Sequence, residues 1–272
     1  MFKNKSNNLT MDTLYKKNKH QRDSSITFEE KSHIYTIDNK RGYKSVTSLV
    51  HDCFPSFDAD KIIDKMMNSR NWTKNKYYGK TKKQIKNEWK QNGINSATAG
   101  TKMHLMIEHF YNDMEVDVDE DNIEFSYFEN FHKNEIENHK TLKLEPYRTE
   151  WMVYDKELKL AGSIDMVFID QNNDLHIYDW KRCKEIKKEN RWESTKLECL
   201  EQYNIPNSNF WHYSFQLNIY KYILEKNYNK IVKSLHLVCL HPNNRNKDYM
   251  KIYVPFLPNQ MNDLMTFRKK TI

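Results

Sequence analysis

Two neighbouring apolar stretches of the chain each contain an aspartate where a packed β-strand would ordinarily have none. Residues 162–182 read GSIDMVFIDQNNDLHIYDWKR, in which Asp165 interrupts the first apolar stretch and Asp179 ends the second. Lys181 follows Asp179 after a single residue. Because a buried carboxylate is costly unless a positive charge compensates it, this arrangement predicts a cation beside the two acids.

The residues between the two stretches, IDQNND, are rich in turn formers, so the stretches are predicted to form the two strands of a hairpin. If the tip lies at Asn172, Asp165 stands opposite Asp179 with the Cβ atoms about 5 Å apart, close enough for both carboxylates to bind one metal ion. Lys181 projects to the same face as Asp179, because side chains alternate along a strand. A register shifted by one residue would separate the acids, so the predicted site depends on this pairing.

The acid-x-Lys triplet is not specific by itself. The same pattern begins at Glu29, Asp38, Glu88, Glu157 and Glu185. Only the triplet from Asp179 ends an apolar strand that follows a Gly-x-Ile-Asp strand. That context favours a catalytic site over the alternative, a surface salt bridge at a strand end.

A helical segment upstream, GTKMHLMIEHF, places His104 and Glu108 one turn apart beside an apolar stripe. Gly100 lies one turn before His104, where a missing side chain would let nucleic acid come close. Taken alone, a His/Glu pair at this spacing is usually a surface hydrogen bond. Here it precedes the acidic strands, and a further strand, YRTEWMVYD, carries Glu150.

A second helical segment, FQLNIYKYIL, places Gln216 and Tyr220 one turn apart. A polar pair at a helix boundary is the alternative interpretation. The position of the pair after the acidic strands favours a functional role.

Taken in chain order, these motifs resemble the RecB-like branch of the PD-(D/E)XK nuclease superfamily, and within it the mitochondrial genome maintenance exonuclease and its viral and phage relatives. The resemblance spans about residues 43–241. It implies a mixed α/β fold with a restriction-endonuclease-like core, in which helices flank a central mixed sheet. It also implies a helical arch through which a single-stranded end is threaded.

The resemblance also implies roles for individual residues. His104, Asp165 and Asp179 would be metal ligands, with Glu108, Glu150 and Trp180 as supporting or additional metal-site residues. Lys181 would be catalytic, together with His104, Glu108 and the two aspartates. Gly100, Gln216, Tyr220 and Arg182 would bind nucleic acid. The sequence departs from the family where relatives often have Thr-Ser after the lysine, because Arg182 and Cys183 stand there.

The region before the acidic strands interleaves aromatic and basic residues, the combination that stacks single-stranded bases and neutralises phosphates. Residues 61–102 hold eleven Lys or Arg against two acids, whereas residues 113–137 hold ten acids against one Lys. Core packing is the alternative for Trp72 and Trp89. The residues predicted to contact the strand are Trp72, Tyr78, Lys80 and Lys83.

The helices and strands expected around the site are predicted to form one domain. Residues 1–22 are predicted to be a flexible basic tail, and 23–272 a single nuclease domain with a helical arch at about 55–140. The catalytic core is expected at about 95–114 and 145–257. A helix capped by Thr81 is expected to stop near Gly93, with a second helix from Ala97.

Composition limits the class of protein. No apolar run approaches the roughly 20 residues that cross a bilayer, and the N-terminus has no secretory h-region, so an intracellular soluble protein is expected. The N-terminal residues resemble a mitochondrial presequence only in their basic charge, because Arg22 is their sole arginine.

The interpretation is a metal-dependent deoxyribonuclease, acting as a monomer on single-stranded DNA ends. Carboxylate ligands select Mg²⁺ or Mn²⁺, and one imidazole favours Mn²⁺. Two alternatives stay open. One is an endonuclease that cuts flaps or junctions, and the other is a non-catalytic nucleic-acid-binding module that keeps the fold.

Overall fold

The computed structural model describes residues 13–119, 121–138 and 142–272. The helices are α1 Thr13–Lys17, α2 Val46–Cys53, α3 Ala59–Met67, α4 Lys82–Tyr111, α5 Ile123–Phe131, α6 Asn209–Asn227 and α7 Pro258–Lys270. The strands are β1 Ile26–Glu29, β2 Ile34–Ile37, β3 Lys44–Ser45, β4 Leu144–Asp155, β5 Leu160–Asp170, β6 Leu175–Lys181, β7 Val232–Cys239 and β8 Met250–Val254.

A six-stranded mixed sheet forms the centre of the molecule. Its order is β3-β5-β6-β7-β8, with β3 and β6 side by side along one edge of β5 and β4 along the opposite edge. The β3–β5 and β6–β7 pairs are parallel, whereas β4–β5, β5–β6 and β7–β8 are antiparallel. Strands β1 and β2 form a separate hairpin. The predicted mixed α/β fold, with helices around a central mixed sheet, is confirmed.

Each face of the sheet is covered by its own apolar core. On one face, α2, α6 and α7 pack against residues such as Val167 and Leu235. On the other face, α4 and α5 pack against residues such as Phe168 and Tyr178. The sheet is therefore the middle layer of three, and burial on both faces explains why its strands are nearly continuous apolar runs.

The helix that carries His104 is longer than the sequence pattern predicted. The Thr81 side chain caps its N-terminus and forms a capping box with Gln84, as expected for this spacing. The predicted stop near Gly93 is wrong, because α4 continues through Gly93 and Gly100 to Tyr111. A helical glycine costs only about 1 kcal/mol relative to alanine, which a helix of 30 residues can absorb.

The first part of α4 belongs to a small helical unit outside the main core. Ile63 of α3, Ile85 of α4 and Tyr77 from the segment between them form a separate buried cluster, against which Trp72 and Trp89 pack. Residues 90–98 of α4 are exposed on every side. This unit occupies part of the region predicted to form the arch.

The N-terminal boundary of the domain is earlier than predicted. Leu14 is buried, the Thr13 hydroxyl donates to the Asn112 carbonyl (3.0 Å), and the Arg22 guanidinium donates to the Tyr154 carbonyl (2.9 Å). The expectation of a flexible tail is therefore wrong for residues 13–22, while residues 1–12 of that tail lie outside the described residues. Within the described ranges, no helix combines the length and apolar character that a bilayer crossing requires.

Candidate metal centre

The β5–β6 hairpin has the register that the sequence predicted. Met166 pairs with Tyr178 and Ile169 with Leu175, which centres the turn on Asn172 and places Asp165 opposite Asp179. The Asp170 side chain fixes the turn by accepting hydrogen bonds from the backbone N–H groups of Asn172 and Asp174 (2.8 and 3.0 Å). Local turn chemistry thus sets the pairing that brings the two acids together.

The ladder between β5 and β6 ends at Met166 and Tyr178, immediately before the two acids. Beyond that point the backbone N–H of Trp180 donates to the Asp165 carboxylate (3.0 Å). Ile164 and Val167 both belong to the core on the α6 side, so the alternation of side chains along β5 is interrupted around Asp165. The acids therefore meet where the two strands separate, and not on a regular strand face.

Glu150 brings a third carboxylate from β4. Thr149 pairs with Met166 and Trp151 with Ile164, so Glu150 stands opposite Asp165 on the other edge of β5. Glu150 has a left-handed backbone (φ 42°) in the middle of the strand, a conformation that is strained for a residue with a side chain. The Ser163 hydroxyl donates to its carboxylate (2.9 Å) and holds it in place.

His104 reaches these acids from α4. Its Nε2 lies 3.0 Å from the Trp180 carbonyl, and since a carbonyl can only accept, Nε2 carries the hydrogen. Its Nδ1 lies 3.5 Å from the Asp165 carboxylate and 3.8 Å from that of Glu150. Ligand atoms of His104, Glu150 and Asp165 all lie within 4.8 Å of one another. We call these three residues the metal cluster.

Lys181 and Asp179 form the second half of the site. The Lys181 ammonium lies 2.6 Å from Oδ2 of Asp179 and 4.5 Å from the centre of the Tyr213 ring on α6. Oδ2 of Asp179 is fully buried, and the Lys181 ammonium compensates its charge. Asp179 itself is only 1% exposed.

The charges of the site shift the pKa values of its groups. Burial lowers the pKa of His104, but Asp165 and Glu150 outweigh it and raise that pKa to about 9. Burial and the nearby charge of Asp165 raise the pKa of Asp179 to about 6, although Lys181 opposes the shift. Burial opposes the charge on Lys181, yet Asp179 and Asp165 raise its pKa above the usual range. At neutral pH the protonated imidazole of His104 and the ammonium of Lys181 thus compensate the negative charges of the acids.

These residues fit a divalent metal ion. Three carboxylates and one imidazole are ligands suited to Mg²⁺ and Mn²⁺. Oδ2 of Asp179, which pairs with the Lys181 ammonium, is a further lone-pair donor inside the site. The proton on Nδ1 of His104 occupies the side that faces Asp165 and Glu150, where a cation would replace it.

Several predicted residues lie around the cluster in supporting positions. Glu108 lines a cavity of about 370 Å³ together with Glu150. Gly100 is on α4 with open space where a side chain would stand. The Trp180 side chain is buried against Phe128, and only its backbone faces His104.

Three residues predicted to bind nucleic acid have protein partners. Tyr220 is 2% exposed and lies against Gly162, so the structure contradicts a direct contact between its ring and a bound strand. Gln216, which is half-buried, donates to the Tyr220 hydroxyl (3.5 Å). Arg182 donates to Glu124 of the acidic stretch (2.7 Å).

The predicted strand-binding residues of the arch fall into two groups. Trp72 packs on the small helical cluster, as the core-packing alternative expected, and Lys80 pairs with Glu88. Tyr78 is 56% exposed, and Lys83 is exposed on the first turn of α4. Tyr78 and Lys83 therefore remain available to a ligand in this structure.

Sequence reasoning missed two residues of the site, Ser163 and Tyr213. Ser163 follows Gly162 and contacts Glu150 across the β4–β5 ladder, so the register of β4 would have been needed to find it. Tyr213 lies one turn before Gln216 on α6. That helical spacing was the available signal.

Comparison with known proteins agrees with this geometry. Residues 74–264 match the model of the PD-(D/E)XK nuclease superfamily, a span of more than two thirds of the chain. The matched span includes His104, Glu150, Asp165, Asp179 and Lys181. A search of curated proteins found no significant match.

Proposed function

Because the chain belongs to the PD-(D/E)XK nuclease superfamily, we propose that it is a divalent-metal-dependent deoxyribonuclease that degrades single-stranded DNA from its ends. We place it in the RecB-like branch of that superfamily. The observation that carries the proposal is the convergence of His104, Glu150 and Asp165 within 4.8 Å, beside the buried Asp179–Lys181 pair. Mg²⁺ or Mn²⁺ is the proposed cofactor.

The chemistry requires positive charge at the phosphate and a nucleophile near neutral pH. A bound divalent ion supplies both, because it polarises the phosphoryl oxygens and lowers the pKa of water. His104, Glu150, Asp165 and Asp179 would hold it, with the Trp180 carbonyl and Glu108 in support. Ser163 keeps Glu150 oriented through its hydrogen bond.

Lys181 contributes a fixed positive charge. Its ammonium is kept protonated by Asp179 and Asp165 and is positioned by the Tyr213 ring. A cation held in this way can orient the attacking water and stabilise the charge that develops on the phosphate. Because it stays charged, Lys181 acts by electrostatics and does not accept a proton.

The small helical unit supports the preference for a single strand. Tyr78 offers an exposed ring and Lys83 an exposed charge on the chain segment that leads to His104. Exposed aromatic and basic groups together bind bases and phosphates without regard to sequence. Gly100 leaves room beside His104 for a strand to approach.

The test is digestion of end-labelled linear single-stranded DNA with Mg²⁺ or Mn²⁺. Asp165→Ala and Lys181→Ala should each lower kcat by at least about 100-fold, because the first removes a metal ligand and the second removes the positive charge beside the phosphate. The matched controls are Asp174→Asn at the tip of the same hairpin and Lys233→Met on the adjacent strand, and both should keep full activity. Unchanged digestion by Asp165→Ala and Lys181→Ala would disprove the site.

The exonuclease mode has its own test. Circular single-stranded DNA has no end, so the wild-type protein should leave circles intact under conditions that degrade the linear form. Cleavage of circles would reject the exonuclease mode in favour of an endonuclease, while strand binding with no turnover of any substrate would favour a non-catalytic module.

A further inference from the structure

The segment between β6 and α6 presents an exposed tryptophan on an ordered support. Trp192 is 83% exposed, more than any other large apolar residue in the described ranges. The backbone N–H of Trp192 donates to the Asn190 side chain (2.9 Å), which in turn donates to the Asn207 carbonyl (2.7 Å). The ring therefore adds little to any core, and its exposed face is accessible to a ligand.

This segment leaves the sheet at the catalytic end. It begins directly after Lys181, and Asn209 on the first turn of α6 ties it down by donating to the Glu185 carbonyl (2.8 Å). The backbone N–H of Lys187 donates to the side-chain oxygen of the same Asn209 (2.8 Å). One turn further along α6, Tyr213 lies under the Lys181 ammonium. Trp192 is therefore on the end of the sheet where the metal cluster lies.

The helical unit touches the same ring. The Lys65 ammonium of α3 lies 4.5 Å from the centre of the Trp192 ring. Helix α3 is joined to α4 by the Lys82–Asp64 and Lys86–Asp60 ion pairs (2.6 and 2.8 Å). Helix α4 carries His104, α3 is paired with α4, and Lys65 of α3 contacts Trp192. Trp192 in turn belongs to the segment that begins at Lys181. The ring is therefore connected to the metal cluster both through the two helices and through its own segment.

Two cavities lie beside the segment that carries Trp192. Residues 90–98 of α4 are exposed on every side, so the helix stands clear of the core there. A cavity of about 500 Å³ is lined by Trp192 and by charged side chains of both signs, the basic Lys187 and Arg191 and the acidic Glu185 and Glu189. A second cavity, of about 690 Å³, lies between the base of the helical unit and the same segment. A nucleobase fits in either volume.

We propose that Trp192 stacks a base of the single strand held at the metal cluster, with Lys65 and Arg191 next to the strand's phosphates. This inference rests on the proposed nuclease function and adds a binding position to it. Lys65 covers one face of the ring and leaves the other open. An aromatic face next to basic side chains suits a base with its phosphate, because stacking and charge neutralisation act on the same nucleotide.

The test measures the dependence of KM on strand length. Trp192→Ala should raise KM about 5- to 10-fold for long single-stranded substrates while kcat stays within about twofold, because the ring binds the strand away from the reacting phosphate. The KM ratio between variant and wild type should grow with length and then level off, once the strand is long enough to reach the ring. Trp192→Phe should recover most of the loss.

Binding to an inactive protein gives an independent readout. In the Asp165→Asn background, oligothymidylate should quench the fluorescence of Trp192, and Trp192→Ala should weaken its affinity by a similar factor. Tyr253→Ala, which removes an exposed aromatic ring (53%) from the edge strand β8, is the control and should change neither KM nor affinity.

The outcomes separate this inference from the proposed function. If the wild-type protein degrades DNA but Trp192→Ala shows an unchanged KM at every length and unchanged affinity, the stacking position is rejected and a protein partner becomes the better occupant of the ring. If the wild-type protein degrades no substrate, yet Trp192→Ala weakens oligonucleotide binding, the stacking position stands and the nuclease function fails.

Discussion

At the scale of single residues, His104 connects protonation to metal binding. Its Nδ1 faces Asp165 and Glu150, and these acids raise its pKa to about 9. A metal ion at that nitrogen must displace the proton, so proton and metal compete for the same position. Exchange of the proton for a divalent ion then raises the net charge of the site by one unit.

This competition predicts a pH dependence of metal affinity. Because His104 is protonated below about pH 9, the affinity for Mn²⁺ should rise as pH increases from 6 to 9. At pH 7.5 the wild-type protein should release about one proton per ion bound, and His104→Gln should release fewer. Calorimetric titrations in buffers of different ionisation enthalpy measure this number. Equal proton release by the two proteins would contradict the assignment of His104.

Glu150 has an unfavourable backbone conformation at its position in the site. Its left-handed backbone costs on the order of 1 kcal/mol, which Glu150→Gly relieves and Glu150→Ala keeps. Without metal, Glu150→Gly should have a free energy of unfolding about 1 kcal/mol above that of Glu150→Ala in urea denaturation. Both variants should bind Mn²⁺ more weakly than wild type. Equal stability of the two variants would show that the strain is absent.

The sequence predicted some of these residues better than others. Asp165, Asp179 and Lys181 lie within one hairpin, whose turn chemistry fixes their pairing locally. His104 and Glu150 reach the cluster only after α4 and β4 pack on the sheet, so their distances depend on tertiary contacts that spacing does not encode. The backbone conformation of Glu150 had no sequence signal, because glutamate rarely adopts it.

At the scale of elements, the packing of α6 on β5 depends on one glycine. A Cβ on Gly162 would lie 2.8 Å from Cε1 and 2.9 Å from the hydroxyl of Tyr220. The absent side chain thus lets α6 approach the strand that carries Asp165. Gly162 and Tyr220 act as a packed pair that sets the distance between the two elements.

Gly162→Ala should therefore destabilise the protein by about 1 to 3 kcal/mol, as overpacking in a core does. The loss should be smaller by at least about 1 kcal/mol when Tyr220→Ala is also present, because the two positions are coupled. Gly93→Ala is the matched control. Its site in α4 has open space, so it should stabilise the protein by about 0.5 to 1 kcal/mol. Urea denaturation measures all four, and equal effects of the two glycine substitutions would contradict the packing account.

Helix α4 shows where sequence signals for elements fail. Thr81 and Gln84 mark its start through hydrogen bonds that are local in sequence. A glycine such as Gly93 is a common helix stop signal, yet α4 continues through it. Packing at both ends of α4 outweighs the small loss of helix propensity at this glycine. Residues 90–98 then bridge two packed regions while they remain exposed themselves.

At the scale of the whole molecule, basic and acidic residues occupy different regions. The positive region, residues 61–102, covers α3 and most of α4. The acidic region, 113–137, includes α5, which packs on the sheet, and its Glu124 and Glu135 pair with Arg182 and Lys251. A polyanion is attracted to the first and repelled from the second. The fold thereby directs a strand toward the helical unit.

This distribution predicts a specific salt dependence of strand binding. In the Asp165→Asn background, replacing the exposed Lys74, Lys83 and Lys90 by Gln should reduce the slope of log K against log salt by about 2, since each phosphate that a lysine neutralises adds roughly 0.7 to that slope. Replacing Lys31, Lys247 and Lys270 by Gln removes the same charge elsewhere and should leave the slope nearly unchanged. Equal changes in slope from both sets would show that binding responds only to net charge.

The extent of the domain was the least predictable feature at this scale. Residues 13–22 have the composition of a basic tail, but Leu14 is buried and Arg22 contacts the Tyr154 and Tyr228 rings. A short polar segment shows no hydrophobic period, so its partners are determined by the surface it meets. The five longer strands of the mixed sheet, by contrast, were predictable because each is marked by its own apolar run, whereas the two-residue strand β3 has no such signal.

The most direct test of the metal centre is the anomalous scattering of crystals soaked in Mn²⁺. We expect one or two peaks within about 2.0 to 2.3 Å of Asp165 and of at least two among His104, Glu150 and Asp179. The peaks should be lost in Asp165→Ala crystals and kept in Asp174→Asn crystals. Density for Mn²⁺ only at other positions, or unchanged peaks in Asp165→Ala, would contradict the proposal that these side chains hold the catalytic ion.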